Sequence, residues 1–216
     1  MKILIISATE LELNGLKKHL SESVIAQCDF YVCGVGMVHT CFELTRILLN
    51  NTYDLAIQIG IAGAFDRTLK LAEVVWVTKD TFSEMGAQDH DEFLSLIQLG
   101  LQSHDEFPYN WSDLVPKPIK DAHALQKFKQ VKGITVNTVH GNAQSILNTQ
   151  MRISPQVESM EGASFFYVCM KLNVPCVQLR AISNYVEPRN KENWEIRLAL
   201  DNLFTSVAES LNNITK

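Results

Sequence analysis

Four glutamates, Glu10, Glu12, Glu158 and Glu161, are the side chains best equipped for acid–base work. A carboxylate accepts hydrogen bonds, takes up protons and favours positive charge beside it. A second polar set lies in Gln178-Leu179-Arg180-Ala181-Ile182-Ser183-Asn184, where an arginine and an asparagine emerge from apolar sequence and therefore need partners. Two turns of small residues, Gly34-Val35-Gly36 and Gly60-Ile61-Ala62-Gly63-Ala64, would let main chain approach a ligand closely. Each motif also has a plain structural reading. Glu10 and Glu12 suit the dipole of an exposed helix N-terminus, Glu161 caps a helix, the glycines turn the chain, and Arg180 and Asn184 join a hydrogen-bond network. No single motif decides between the two.

The elements that must position these residues follow from hydrophobic period. Strands are expected over residues 2–8, 29–35, 54–61, 73–79, 133–139 and 174–183. Leu11, Leu13, Leu16 and Leu20 lie in a helix-like pattern, and helices are expected over 38–49, 161–172 and 193–211. The alternation predicts an α/β fold with a mixed, largely parallel central sheet flanked by helices. Such sheets place ligands at strand ends, where Glu10, Glu12, both glycine turns and Asn184 fall. Residues 84–121, with Gly86, Gly100, Pro108, Pro116 and Pro118, break the pattern and read as a functional insertion, a lid or a subunit contact. No linker or repeat divides the chain, so residues 1–216 are expected to form one domain.

Bulk composition narrows the function. The chain is 46% hydrophobic and 20% charged, enough apolar content for a core. Nineteen basic against twenty-four acidic residues leave −5, which argues against a nucleic-acid partner held by phosphate neutralisation. Cys28, Cys33, Cys41, Cys169 and Cys176 form no Cys-x-x-Cys pair and read as reduced, packed thiols rather than disulfides or a zinc site. The apolar start is cut by Glu10 and Glu12, too early for a signal peptide, and no membrane-length run follows. The cytoplasm is the expected compartment, with no membrane partner.

Taken in order, five motifs resemble the nucleoside phosphorylase and nucleosidase family over nearly the full length. They are Glu10-Leu11-Glu12 after the first strand, the turn and helix from Gly34 to Leu44, Gly60-Ile61-Ala62-Gly63, Met160-Glu161, and Arg180-Ala181-Ile182-Ser183-Asn184. The chain is similar to bacterial methylthioadenosine/S-adenosylhomocysteine nucleosidase, with two departures: Ile61 replaces the usual Ser or Thr, and Asn184 the usual Asp. Glu158-Ser159-Met160-Glu161-Gly162-Ala163 with Phe165-Phe166-Tyr167-Val168-Cys169, the segment from Asn184 to Asn190, and Gly86-Ala87-Gln88-Asp89 before Asp91-Glu92-Phe93 resemble the futalosine hydrolase branch. Members of that branch release hypoxanthine from futalosine in a menaquinone pathway. A dinucleotide-binding domain is excluded, because no Gly-x-Gly-x-x-Gly follows the first strand.

The resemblance implies cleavage of an N-ribosidic bond, which builds positive charge on the sugar and negative charge on the base. It implies that Glu12 activates water as general base, that Glu161 holds the ribose 2′ and 3′ hydroxyls, and that Met160 packs on the sugar face. Asn184 would meet the departing base, and Gly60, Ile61, Ala62, Gly63, Gln144 and Ser145 would complete the substrate-binding set. An amide at 184 suits hypoxanthine, its C=O taking N7–H and its NH2 giving to O6. A mismatch there leaves a buried polar group unpaired at about 1–3 kcal/mol. Ile61 removes a hydroxyl and no arginine lies near the first two glycine turns, so water rather than phosphate is the expected nucleophile. Arg189 and Trp194 are candidates for the aromatic carboxylate on the 5′ side of futalosine, with a solvated loop as the equal alternative. No cofactor or metal is implied. The expected partners are a purine nucleoside and a second copy of the chain, as a dimer. The rivals are a methylthioadenosine nucleosidase or purine nucleoside phosphorylase of the same family, and a catalytically silent nucleoside-binding protein.

Overall fold

The computed structural model describes residues 1–119 and 122–214, so positions 120 and 121 of the insertion expected over 84–121 lie outside the described residues. β1 (Ile3–Ser7) is buried at every position, as befits a strand covered on both faces. Its side chains alternate: Ile3 and Ile5 enter the core beneath the last helix, Leu4 and Ile6 the core on the opposite face.

The leucine pattern from 11 to 20 does not become one helix. α1 (Glu10–Leu13) is a single turn, a 3-10 turn follows over Leu16–His19, and α2 (Glu22–Ile25) is again one turn. The break falls at Gly15, where a Cβ would sit 2.0 Å from the Phe204 ring. The last helix presses so close here that the chain passes only without a side chain.

β2 (Cys28–Val32), α3 (Met37–Asn50), β3 (Leu55–Ala64) and β4 (Val74–Lys79) follow. The insertion holds an exposed hairpin of β5 (Gly86–Asp89) and β6 (Glu92–Ser95) and a small one of β7 (Tyr109–Asn110) and β8 (Asp113–Leu114). β9 (Lys129–Thr135) lies earlier than the strand expected over 133–139. The apolar run continues past it because Val136 and Val139 pack with Phe65 and Val186 in a small third core instead of in the sheet. α4 (Ala143–Ile153) and β10 (Val157–Ser159) were not expected; α5 (Gly162–Lys171), β11 (Cys176–Tyr185) and α6 (Ile196–Ile214) were.

The seven-stranded sheet has the order β10-β9-β4-β11-β3-β1-β2. β10 also pairs with β3, Val157 opposite Ala64 and Glu158 opposite Gly63, so five strands form a closed circuit. The β11–β4 and β10–β3 pairs are antiparallel and the rest parallel, which makes the sheet mixed. α6 covers one face with Ala199, Leu203, Val207 and Leu211 at helical spacing. α5, carrying buried Phe165, Phe166 and Cys169, packs with α3 on the other. Among the described residues no helix is long and apolar enough to cross a membrane.

Candidate active site

Three buried carboxylates, Glu12, Glu158 and Glu161, converge on one cleft of about 300 Å³ between the ends of β1, β3, β10 and β11. Cavities of about 430 and 610 Å³ lie beneath the insertion and beside Phe107, away from all three. Convergent polar groups, not size, select the cleft.

Glu12 is held by its own helix start. Thr9 caps α1 by accepting from the Glu12 N–H at 3.3 Å, and Glu12 Oε2 accepts from the Thr9 N–H at 3.0 Å and the Thr9 hydroxyl at 2.9 Å. Its Oε1 accepts from the Ile61 N–H at 3.2 Å. Gly60 leaves room for this: a Cβ there would lie 2.9 Å from Glu12 Oε1 and 2.4 Å from Arg180 Nη1.

Glu161 stands at the N-cap of α5 but makes no capping hydrogen bond with its side chain. Instead Oε1 accepts from the Gly36 N–H at 3.0 Å, and Oε2 lies 3.5 Å from Arg180 Nη1. Both Gly34 and Gly36 adopt positive φ, +86° and +92°, so this turn presents its N–H in a backbone that favours glycine. Burial pushes the Glu161 carboxyl above its ordinary value; Arg180 and the Gly36 N–H oppose that, and the Glu12 charge adds to it. Arg180, 1% exposed, is satisfied by Gln178 Oε1 (3.0 Å) and Gln58 Oε1 (2.9 Å). The buried arginine read from sequence is thus part of a network that also supports Glu161.

At the other end of the cleft, β11 slips register against β3 between Ile182 and Asn184. The irregularity re-aims the side chains beyond it, and Asn184 lines the cleft. Its Nδ2 donates to Tyr185 O at 3.0 Å and its Oδ1 accepts from the Ser183 hydroxyl at 2.8 Å. Those contacts fix which end of the amide is which, and leave one lone pair and one N–H for a ligand. Gly63 separates Asn184 from Glu158, with a Cβ there only 3.3 Å from Asn184 Nδ2.

Ile61, Ala62, Gly63, Met160, Arg189 and Trp194 also line the cleft. Arg189 lies over the Trp194 ring at 4.9 Å. Gly60 sits behind the cleft, against Glu12 and Arg180. Gln144 and Ser145 are in the first turn of α4, their N–H groups capped by Asn142 Oδ1 at 3.0 and 3.2 Å, outside the cleft-lining residues.

His140 lines the cleft and was missed. Its N–H donates to Glu158 Oε1 at 3.1 Å, its Nδ1 lies 2.6 Å from Glu158 Oε2, and its Nε2 lies 2.9 Å from the Thr149 hydroxyl. The signal was present, since His140 directly follows the segment expected as the fifth strand, and ligands gather at strand ends. A site with this many carboxylates suits a polyhydroxyl group that becomes cationic, beside a polar amide.

The phosphorylase superfamily model matches residues 2–215. A futalosine hydrolase of Thermus thermophilus is 28% identical over 82% of this chain and 78% of its own length. A 5′-methylthioadenosine/S-adenosylhomocysteine nucleosidase of Psychromonas ingrahamii is 26% identical over 99% of this chain and all of its own. The fold matches that of the Colwellia psychrerythraea 5′-methylthioadenosine/S-adenosylhomocysteine nucleosidase in complex with adenine, at TM-score 0.81 and 21% identity over 99% of this chain and 95% of that one. With a family model spanning nearly every residue and the same fold in a solved relative, the chain belongs to the phosphorylase superfamily.

Proposed function

We propose that this chain, acting as one domain, hydrolyses the N-ribosidic bond of a purine nucleoside, and that futalosine is its substrate, with hypoxanthine the released base. The observation that carries the reading is the shared cleft of Glu12, Glu161 and Asn184, two carboxylates facing an oriented amide. Glu12, steadied by three donors, takes a proton from water as it attacks the sugar. Glu161 accepts from the ribose hydroxyls, and its charge favours the oxocarbenium-like transition state. Met160 packs on the sugar. An amide has no proton to give, so solvent protonates N7 as the bond breaks; Asn184 then accepts from N7–H with its free lone pair and donates its free N–H to O6 of the leaving base.

Water is the nucleophile in this reading. Residues 60–64, expected as a turn, continue β3, where Ile61 brings no hydroxyl, and a phosphate dianion beside buried Glu12 would be repelled. Arg189 and Trp194, at the cleft mouth, take the aromatic carboxylate on the 5′ side. On α3, Val38, Phe42 and Leu49 are 77%, 65% and 68% exposed on one helical face, which supports a dimer that covers them.

The test is incubation with futalosine, methylthioadenosine and inosine, each with and without phosphate, followed by detection of free base. Phosphate-independent release of hypoxanthine from futalosine, faster than base release from the others, is the expected result. Phosphate dependence overturns the hydrolase reading, and preference for methylthioadenosine overturns the substrate. Sedimentation reads the oligomeric state.

A further inference from the structure

Asp80, 1% exposed just beyond β4, is a buried carboxylate that the proposed reaction does not use. Its side chain only accepts. The Thr81 N–H (2.8 Å) and the Thr135 hydroxyl (2.9 Å) reach Oδ1, and the Gln178 amide N–H reaches Oδ2 at 3.2 Å. Gln178 Oε1 accepts from Arg180 Nε at 3.0 Å, and Arg180 Nη1 stands 3.5 Å from Glu161 Oε2. A chain of polar groups therefore runs Asp80–Gln178–Arg180–Glu161, from sealed interior to cleft.

Its polarity is set from one end. Arginine has only donors, so Gln178 turns its carbonyl to Arg180 and its N–H to Asp80, which must accept. Main chain holds the Asp80 end, whose N–H and C=O exchange hydrogen bonds with Leu114 of β8 at 3.1 and 2.8 Å. There is no slack, for a Cβ at Gly162 would lie 2.2 Å from Asp80 Oδ2 and 2.5 Å from Gln178 Oε1.

We infer that Asp80 is a positioning residue for the site: through Gln178 it holds Arg180 in the orientation that keeps the Glu161 carboxylate in the cleft. The inference rests on the reading that Glu161 holds the ribose. A proton on Asp80 Oδ2 turns the Gln178 amide round to offer its carbonyl, and sets its NH2 against Arg180 Nε–H, donor against donor. Burial lifts Asp80 to about 6, against the pull of its hydrogen bonds and of Arg180. The charged groups around it are Arg180 from β11, Glu161 before α5, and Lys79, Lys132 and Asp113, which pair with one another at 2.8 and 3.6 Å. Below its pKa the link is broken; above it the link holds.

The experiment uses the full chain. Asp80→Asn is isosteric but sets an NH2 against the Gln178 N–H; adding Gln178→Glu supplies an acceptor for both neighbours. Asp80→Asn should raise KM for the nucleoside roughly tenfold or more, while the inhibition constant of free hypoxanthine, which has no ribose, stays within about twofold. The double variant should recover most of that loss, and the acid limb of kcat/KM near pH 6 should be absent from Asp80→Asn. Equal losses toward nucleoside and base, or a double variant no better than the single, overturn the inference. The NMR signal of Arg180 Nε–H reads the link without turnover. It should titrate near pH 6 in the unsubstituted protein and not in Asp80→Asn; a signal flat in both overturns the inference. A protein that shows this titration yet releases no base from any nucleoside supports the link and fails the proposed reaction instead.

Discussion

Ile61 gives its main-chain N–H to the Glu12 carboxylate at 3.2 Å. The residue whose side chain departs from the family pattern thus still supports the glutamate, through a main-chain N–H that every residue type but proline would supply.

Glu12→Gln keeps the shape of this arrangement but sets an amide NH2 among the N–H of Ile61 and the N–H and hydroxyl of Thr9. It also removes the proposed proton acceptor. We expect kcat to fall by about 10²–10⁴ in a base-release assay. A loss under about threefold would remove Glu12 from the role of general base.

Gly60→Ala places a methyl group 2.4 Å from Arg180 Nη1 and 2.9 Å from Glu12 Oε1. Neither can retreat without giving up its partners. The expected cost is about 1–3 kcal/mol of stability by urea unfolding, together with lost activity. A variant equal to the parent in both would show this part of β3 to be compliant.

In the proposed reaction, Asn184→Asp exchanges a donor for a charge opposite O6 of the base. The kcat/KM for hypoxanthine nucleosides should drop roughly ten- to hundredfold, and relative activity on adenine nucleosides should rise. Competition between inosine and methylthioadenosine measures the ratio, which ought to stay put if position 184 does not read the base.

Arg189 is exposed, rests on Trp194, and has no carboxylate within salt-bridge range among the described residues. Arg189→Ala should raise KM for futalosine about tenfold and that for inosine by less than about twofold. Equal effects on both dismiss a contact to the 5′ carboxylate.

Burial pushes the Cys28 thiol to about 11 and the Cys33 thiol to about 12. A raised pKa means protonated thiol at every pH below it, and the thiolate is the nucleophile. Iodoacetamide on the native protein at about pH 8 should therefore spare both, reaching half-buried Cys41 first. Mass spectrometry counts the adducts; fast native alkylation of Cys33 contradicts the burial argument.

Much of the frame was legible because it rests on local period. β1, β3 and β11 are nearly continuous buried runs, and α3, α5 and α6 repeat apolar residues at helical spacing. α4 was not legible, since polar residues such as Gln144, Asn148 and Gln150 dominate it and its one buried position is a threonine. β10 has three residues, too few for a period to show. Glu12, Glu161 and Asn184 were found through motif order, because no local rule brings together carboxylates 149 positions apart. His140 needed its strand end followed through, the Glu158–His140 partnership needed β10 placed beside β9, and closing the sheet there needed the β10–β3 pairing, which leaves no trace in local sequence.

That pairing has a consequence for biosynthesis. Val157 and Glu158 must reach back to Ala64 and Gly63 before the circuit of strands is complete, a long-range contact of the slow-forming kind. A nascent polypeptide still short of β10 has neither the wall that carries Glu161 nor the strand that carries Asn184. The ribosome therefore delivers most of the frame around the cleft before two of its proposed site residues exist, and the cleft is walled in only by the last strands to be made.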